Sequence, residues 1–125
     1  MKKFVTLLLC MLPVSLFAQV NDGIRQAMDN YDYETVVTLI EPDCQDSLLL
    51  ITKAQALKAM NRYPEAIGVL NSLILKDSTN TKVLIDLAEC YKLTGNSRRA
   101  ANCYQKAMNL QPENKFFRLQ FLHDL

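Results

Sequence analysis

Apolar residues between Asp46 and Leu110 recur at intervals of three and four, which is the periodicity of amphipathic helices. Four apolar stripes follow one another, namely Leu50–Ala54–Leu57, Ala66–Ile67–Leu70–Leu73–Ile74, Leu84–Leu87–Ala88–Tyr91 and Ala100–Cys103–Tyr104–Ala107. No stretch between them shows the sustained alternation of a half-buried strand. The pattern therefore predicts an all-α protein.

The breaks between the stripes carry helix stop and start signals. Asn61 and Gly95 stand at equivalent places, where a residue in the left-handed conformation commonly ends a helix. Pro64 suits the first turn of the next helix because its missing N–H costs nothing there. Asn80 and Ser97 are predicted N-caps, since their side chains can accept a hydrogen bond from a free backbone amide. These signals separate the four predicted helices.

The helix pairs repeat after 34 residues. Leu50 falls on Leu84, Ile51 on Ile85, Ala54 on Ala88, Lys58 on Lys92 and Ala66 on Ala100. The repeated alanines indicate close helix contact, because a bulky side chain there would push paired helices apart.

This unit resembles the tetratricopeptide repeat family, whose repeat is a 34-residue helix–turn–helix. Residues 81–114 match in Leu84-x-x-Leu87-Ala88-x-x-Tyr91, Ala100-x-x-x-Tyr104, Ala107 and Pro112; residues 47–80 match in Leu50, Ala54, Leu57, Ala66 and Leu70. The resemblance implies a short α-solenoid of antiparallel helix pairs in a right-handed superhelix, with about seven helices.

The flanks match the repeat less closely. Residues 19–46 are predicted to form a degenerate N-terminal helix pair, because Tyr33 precedes Tyr63 by 30 residues and Glu41-Pro42 truncates the second helix. Full repeats are expected at 47–80 and 81–114. Residues 115–125 form either a capping helix or the start of a truncated repeat; their apolar residues include Phe116, Phe117, Phe121 and Leu122.

The first 18 residues have the order of a secretory signal peptide. Met1-Lys2-Lys3 is basic, residues 4–17 carry no charge, and Ala18 offers a small residue for cleavage. The apolar run is shorter than the roughly 20 residues of a spanning helix and is interrupted by Pro13. Residues 19–125 are therefore expected to be exported, periplasmic or extracellular, with no membrane span after cleavage.

Charge is distributed unevenly along the expected mature chain. Residues 21–46 hold seven acidic side chains and one base, whereas residues 47–125 hold eleven bases and six acids. Neither part has the clustered bases of a nucleic-acid footprint.

Three cysteines remain in the expected mature chain, Cys44, Cys90 and Cys103. Cys90 and Cys103 fall on helices expected to pack together, so they form either one disulfide or two small buried side chains.

No group of residues has the spacing that catalysis or metal binding needs. His123 is the one histidine and lies close to the C-terminus, where it reads as an exposed helix-end residue. Asp86 and Glu89 lie one helical turn apart and are interpreted as a solvated pair rather than an acid–base pair. Arg98 and Arg99 open a helix, where the macrodipole disfavours cations, so they are candidates for binding an acidic group. No enzyme activity, cofactor or metal is expected.

The resemblance implies a binding function instead. In tetratricopeptide proteins the first helix of each pair lines a concave groove that receives a peptide or protein. The matching residues are Leu48, Ile51, Gln55, Lys58, Lys82, Ile85, Glu89 and Lys92. Lys58 and Lys92 would form a basic row beside Ile51 and Ile85, suited to a segment with acidic and aliphatic side chains.

The residues that clamp the carboxylate of chaperone C-termini are missing from this groove, because Ile51, Gln55, Asp86, Phe116 and Gln120 occupy their places. The predicted function is a non-catalytic adaptor or scaffold. The alternative is a structural subunit of an envelope assembly that associates weakly with itself.

Overall fold

A computed structural model describes residues 20–115 and residue 119 of the chain. Six helices lie within this part, and no strand occurs among the described residues. They are α1 (20–29), α2 (Tyr33–Leu39), α3 (Ser47–Ala59), α4 (Tyr63–Lys76), α5 (Thr81–Leu93) and α6 (Ser97–Leu110). The all-α prediction is confirmed. Residues 115 and 119 are also helical, while most of the predicted seventh helix lies outside the described residues.

The first helix of each pair ends in the same type of turn. Asn61 (φ 61°) and Gly95 (φ 84°) adopt the left-handed conformation that their residue types predict. The following amides, of Arg62 and Asn96, donate to the carbonyls five residues back at 2.9 and 2.8 Å. These bonds close a Schellman motif, which satisfies carbonyls that a helix end would leave free.

Tyr31 forms the equivalent turn at the end of α1. Its φ is 59°, and the amide of Asp32 donates to the carbonyl of Ala27 at 2.8 Å. A tyrosine rarely adopts this conformation, because a side chain there crowds the backbone. The equivalence places α1 thirty residues before α3, so Ala27 in α1 corresponds to Leu57 in α3.

Side-chain caps begin most of the helices. Asp32, Asp46 and Asn80 each accept a hydrogen bond from an amide of the first helical turn, as predicted for Asn80. The prediction for Ser97 is wrong by one residue. The cap of α6 is Asn96, whose side chain accepts from the amide of Arg99 at 3.2 Å, and Ser97 is the first helical residue.

The helices pack in sequence order, with α2 against α3, α3 against α4, α4 against α5 and α5 against α6. The repeated alanines are buried where the paired helices meet: Ala54, Ala66, Ala88 and Ala100 are at most 1% exposed. They share one core cluster with Leu57, Leu70, Tyr91 and Tyr104. A second cluster joins α1 and α2 to α3 through Ile24, Val36 and Ala56. The core therefore runs along the whole stack.

Cys90 and Cys103 are free thiols in this core. Burial raises the pKa of both thiols above the ordinary value, because the charged thiolate is poorly solvated there. They pack as small apolar side chains, which is the second of the two alternatives predicted for them.

Candidate functional site

Contacts between α3 and α5 show which side of each helix contributes to a shared surface of the protein. The amino group of Lys58 in α3 donates to Oε2 of Glu89 in α5 at 2.8 Å, and it lies 3.4 Å from Oδ1 of Asp86. The side of α3 that carries Lys58 therefore lies next to the side of α5 that carries Glu89. We call the surface formed by these two sides the inner face. Its predicted residues are Leu48, Ile51, Gln55, Lys58, Lys82, Ile85, Glu89 and Lys92.

Lys58 links two successive helix pairs through its charge. Burial lowers the pKa of Lys58, but the hydrogen bond that Lys58 donates to Glu89 and the charges of Asp86 and Glu89 outweigh burial and raise this pKa above its ordinary value. The amino group therefore stays protonated over the physiological range. Its positive charge is directed at two carboxylates of the same chain.

This arrangement changes two interpretations made from the sequence. Lys58 does not extend a basic row with Lys92 in the way expected, because its charge is neutralised within the fold. Asp86 is not a solvated carboxylate, since its side chain is only 18% exposed and pairs with Lys58. Glu89 is 45% exposed and keeps contact with solvent. Sequence periodicity placed all three residues correctly on their helices but did not show that they meet.

The remaining predicted residues differ in exposure. Ile51 and Ile85 are half-buried and pack against the edge of the core. Gln55 is also half-buried, whereas Lys82 and Lys92 are exposed. Leu48 lies in the first turn of α3 and is 76% exposed. The inner face thus has a partly buried aliphatic floor, bordered by polar and charged side chains.

The fold adds residues to the inner face that the prediction did not include. The turn at Tyr31 sets α1 in register with α3, so Arg25 and Met28 correspond to Gln55 and Lys58. Arg25 is exposed and Met28 is half-buried. The spacing of 30 residues between Tyr33 and Tyr63 in the sequence could have predicted this register of α1 with α3.

The two arginines that open α6 have different surroundings. The guanidinium of Arg99 lies 5.7 Å from the centre of the Tyr91 ring, which is a cation–π contact. The Tyr91 hydroxyl accepts a hydrogen bond from Asn71 of α4 at 3.3 Å. Arg98 is exposed. Arg99 is therefore oriented toward Tyr91 of α5, whereas no such contact with Tyr91 is found for the neighbouring Arg98.

The described residues contain neither a candidate metal site nor a candidate membrane span. Within residues 20–115, no group of three or more His, Cys, Asp or Glu side chains could hold a metal ion. None of the helices described there is long and apolar enough to cross a membrane. His123, Phe116 and Gln120 lie outside the described part of the chain.

A tetratricopeptide repeat model matches residues 57–120, slightly more than half of the chain. The match covers the turn at Asn61, the helices α4 to α6 and three of the four repeated alanines, Ala66, Ala88 and Ala100. The chain belongs to the tetratricopeptide repeat family.

Known proteins of this fold are similar over most of the chain. The Yersinia enterocolitica type III secretion chaperone SycD, in complex with a peptide of the translocator YopD, matches with a TM-score of 0.70 and 20% identity, covering 89% of this chain and 90% of SycD. The first tetratricopeptide domain of Spaghetti (RPAP3), bound to the HSP90 peptide SRMEEVD, matches with a TM-score of 0.67 and 16% identity, covering 89% and 88%. At these identities the likeness shows the fold alone.

A curated protein is closer in sequence. The DnaJ homolog subfamily C member 7 homolog of Dictyostelium discoideum is 35% identical over 86 residues, which are 67% of this chain and 16% of that protein. The chain spans about one sixth of the length of this relative.

Proposed function

We propose that this protein is a non-catalytic adaptor that binds a peptide or an unfolded segment of another protein on its inner face. The observation that carries the proposal is the half-buried pair Ile51 and Ile85, placed one repeat apart on the same surface. Two structurally similar proteins, SycD and RPAP3, are described with bound peptides, which supports peptide binding by this fold.

The charges of the inner face indicate the chemistry of the partner. Lys58 is already paired with Asp86 and Glu89, so it contributes little attraction to an incoming carboxylate. Arg25, Lys82 and Lys92 are exposed and surround the aliphatic floor. A segment that places aliphatic side chains over Ile51 and Ile85, with acidic residues toward α1 and the end of α5, fits this distribution.

Affinity capture with matched variants tests the proposal. Residues 19–125 are used as bait on the exported fraction, and bound proteins are identified by mass spectrometry. We expect one stoichiometric partner, retained by the variant Leu75→Ala and lost by Ile51→Ala combined with Ile85→Ala. Leu75 is the control because it is 88% exposed on α4. Circular dichroism confirms that each variant is folded. Equal capture by all three proteins would show that the partner binds elsewhere.

We propose in addition that the protein is exported and cleaved after Ala18. Support comes from the basic start and the uncharged stretch 4–17. Cell fractionation followed by intact-mass measurement should find a chain that begins at Gln19 outside the cytoplasm. Recovery of the uncleaved chain from the cytoplasm would contradict this.

Self-association as a structural subunit is a second candidate function. The observation that favours it is the contrast between the acidic residues 21–46 and the basic remainder of the chain. Opposite charges on the two ends of a repeat stack would steer one copy toward another, head to tail. Capture that recovers the bait sequence alone would support this function over the adaptor.

A further inference from the structure

A groove crosses the molecule between α4 and α6, with α5 as its floor. It has two parts, of about 200 and 350 Å³, which share Ile74, Leu84 and Lys106. We call the two parts together the outer groove. Its floor includes the buried side chains of Leu84, Leu87 and Tyr91. These floor residues project from a different side of α5 than Ile85, Glu89 and Lys92. With about 100° of rotation per helical residue, the two sides are roughly 130° apart around the helix axis. The outer groove and the inner face therefore share no residue.

The rim of the outer groove is basic and rich in carboxamides. Arg99, Asn102, Lys106 and Asn109 follow one another along α6, and Asn71 stands opposite on α4. All five side chains are exposed. No carboxylate occurs among the described residues that line the groove. An acidic ligand would therefore meet two cations here and no opposing charge.

Part of this rim is already ordered. Arg99 is held over the Tyr91 ring at 5.7 Å, and Asn71 donates to the Tyr91 hydroxyl at 3.3 Å. A buried aromatic ring thus fixes one cation and one carboxamide on opposite sides of the groove. Ordering these groups in advance lowers the entropy cost of binding. The neighbouring Arg98 does not line the groove.

The spacing along α6 sets the shape of the ligand. Arg99 and Lys106 are seven residues apart, as are Asn102 and Asn109, which is about 10.5 Å along a helix. A polyproline II segment has three residues per turn and rises about 9.3 Å over them, so its residues i and i+3 face the same way at a similar spacing. Its backbone has no internal hydrogen bonds, and carboxamides can both donate to it and accept from it.

We propose that the outer groove is a second docking site, which binds an extended, polyproline-like segment of a partner protein with acidic residues three positions apart. Arg99 and Lys106 bind the two acidic side chains, and the carboxamides of α4 and α6 bind the backbone between them. The apolar floor contacts the prolines. The adaptor then carries two independent sites, because neither uses the residues of the other.

Amide-resolved NMR titration tests this site with a defined probe. The probe is a proline-rich peptide with glutamate at every third position, and the control peptide has glutamine in place of glutamate. We expect the glutamate peptide to shift the side-chain amide signals of Asn71, Asn102 and Asn109 and to leave that of Gln55 unchanged. Arg99→Glu combined with Lys106→Glu should weaken binding about tenfold or more, since two attractions become repulsions.

Arg98→Glu is the matched control, because it makes the same charge change in the same helical turn outside the groove. It should alter the affinity by less than about twofold, because Arg98 is exposed outside the groove and solvent screens its charge. If the double reversal fails to fold, Arg99→Gln with Lys106→Gln replaces it. Equal binding of the glutamine peptide, shifts centred on Gln55, or equal weakening by Arg98→Glu would each overturn the proposal. Loss of partner capture by the Ile51 and Ile85 variants tests the inner face separately.

Discussion

Replacing Ala88 or Ala100 by leucine should destabilise the protein, because these alanines lie where α5 and α6 meet. Both side chains are 0% exposed and belong to the cluster that contains Tyr91 and Tyr104. Leucine adds three carbon atoms at a position with no outlet to solvent. The 34-residue recurrence of alanine at 54, 66, 88 and 100 motivates the experiment.

Two effects of opposite sign decide the result. If space were present, three more buried carbons would stabilise the fold by about 2.4 kcal/mol, at about 0.8 kcal/mol each. If the helices are in contact, overpacking costs about 1–3 kcal/mol through shifted backbone and strained rotamers. The complete burial of both alanines favours the second effect. For a domain of this size, a loss of 1–3 kcal/mol lowers the melting temperature by roughly 4–20 °C.

Thermal unfolding followed by circular dichroism measures this change, and denaturant midpoints provide the free energy of unfolding. Ala59→Leu is the matched control, since Ala59 is an exposed residue of α3; we expect it to change stability by less than about 0.5 kcal/mol. Melting temperatures at or above the wild-type value for both Ala88→Leu and Ala100→Leu would refute the close helix contact and the register derived from it.

Three further results are expected. Lys58→Glu places a third carboxylate beside Asp86 and Glu89 and should destabilise the fold by about 1–3 kcal/mol. By contrast, Lys82→Glu, at an exposed position of α5, should lower partner affinity in calorimetry with little change in melting temperature; the reverse ranking would contradict the ion-pair geometry. Gly68→Ala should stabilise the fold by about 0.5–1 kcal/mol, because a Cβ there meets open space. Gly95→Ala should destabilise the fold by about 1–2 kcal/mol, because the φ of Gly95 is +84°. Equal effects of the two variants in chemical denaturation would count against the left-handed turn at Gly95. Sedimentation of residues 19–125 should show association at low salt that weakens at high salt, where exposed charges are screened; a monomer under both conditions would eliminate self-association.

Local features of this protein could be predicted from its sequence because they depend on neighbouring residues. The turns at Asn61 and Gly95 follow from residue types that accept the left-handed conformation, and both are present. The burial of Ala54, Ala66, Ala88 and Ala100 follows from their recurrence on one stripe of each helix. The family follows from the same spacing, because a 34-residue period with small residues at fixed places specifies how paired helices approach each other.

Pairings between helices required the tertiary structure. Lys58 meets Asp86 and Glu89 across 28 and 31 residues, and these contacts depend on the crossing of α3 and α5 rather than on any local pattern. The turn at Tyr31 could be predicted only from the spacing of 30 residues between Tyr33 and Tyr63, because tyrosine is not a residue type that signals a left-handed turn. The outer groove exists only because α4 and α6 flank α5, which brings Asn71, Tyr91 and Arg99 together. Periodicity shows which side of each helix is buried, but the packing angles between helices determine which exposed side chains become neighbours.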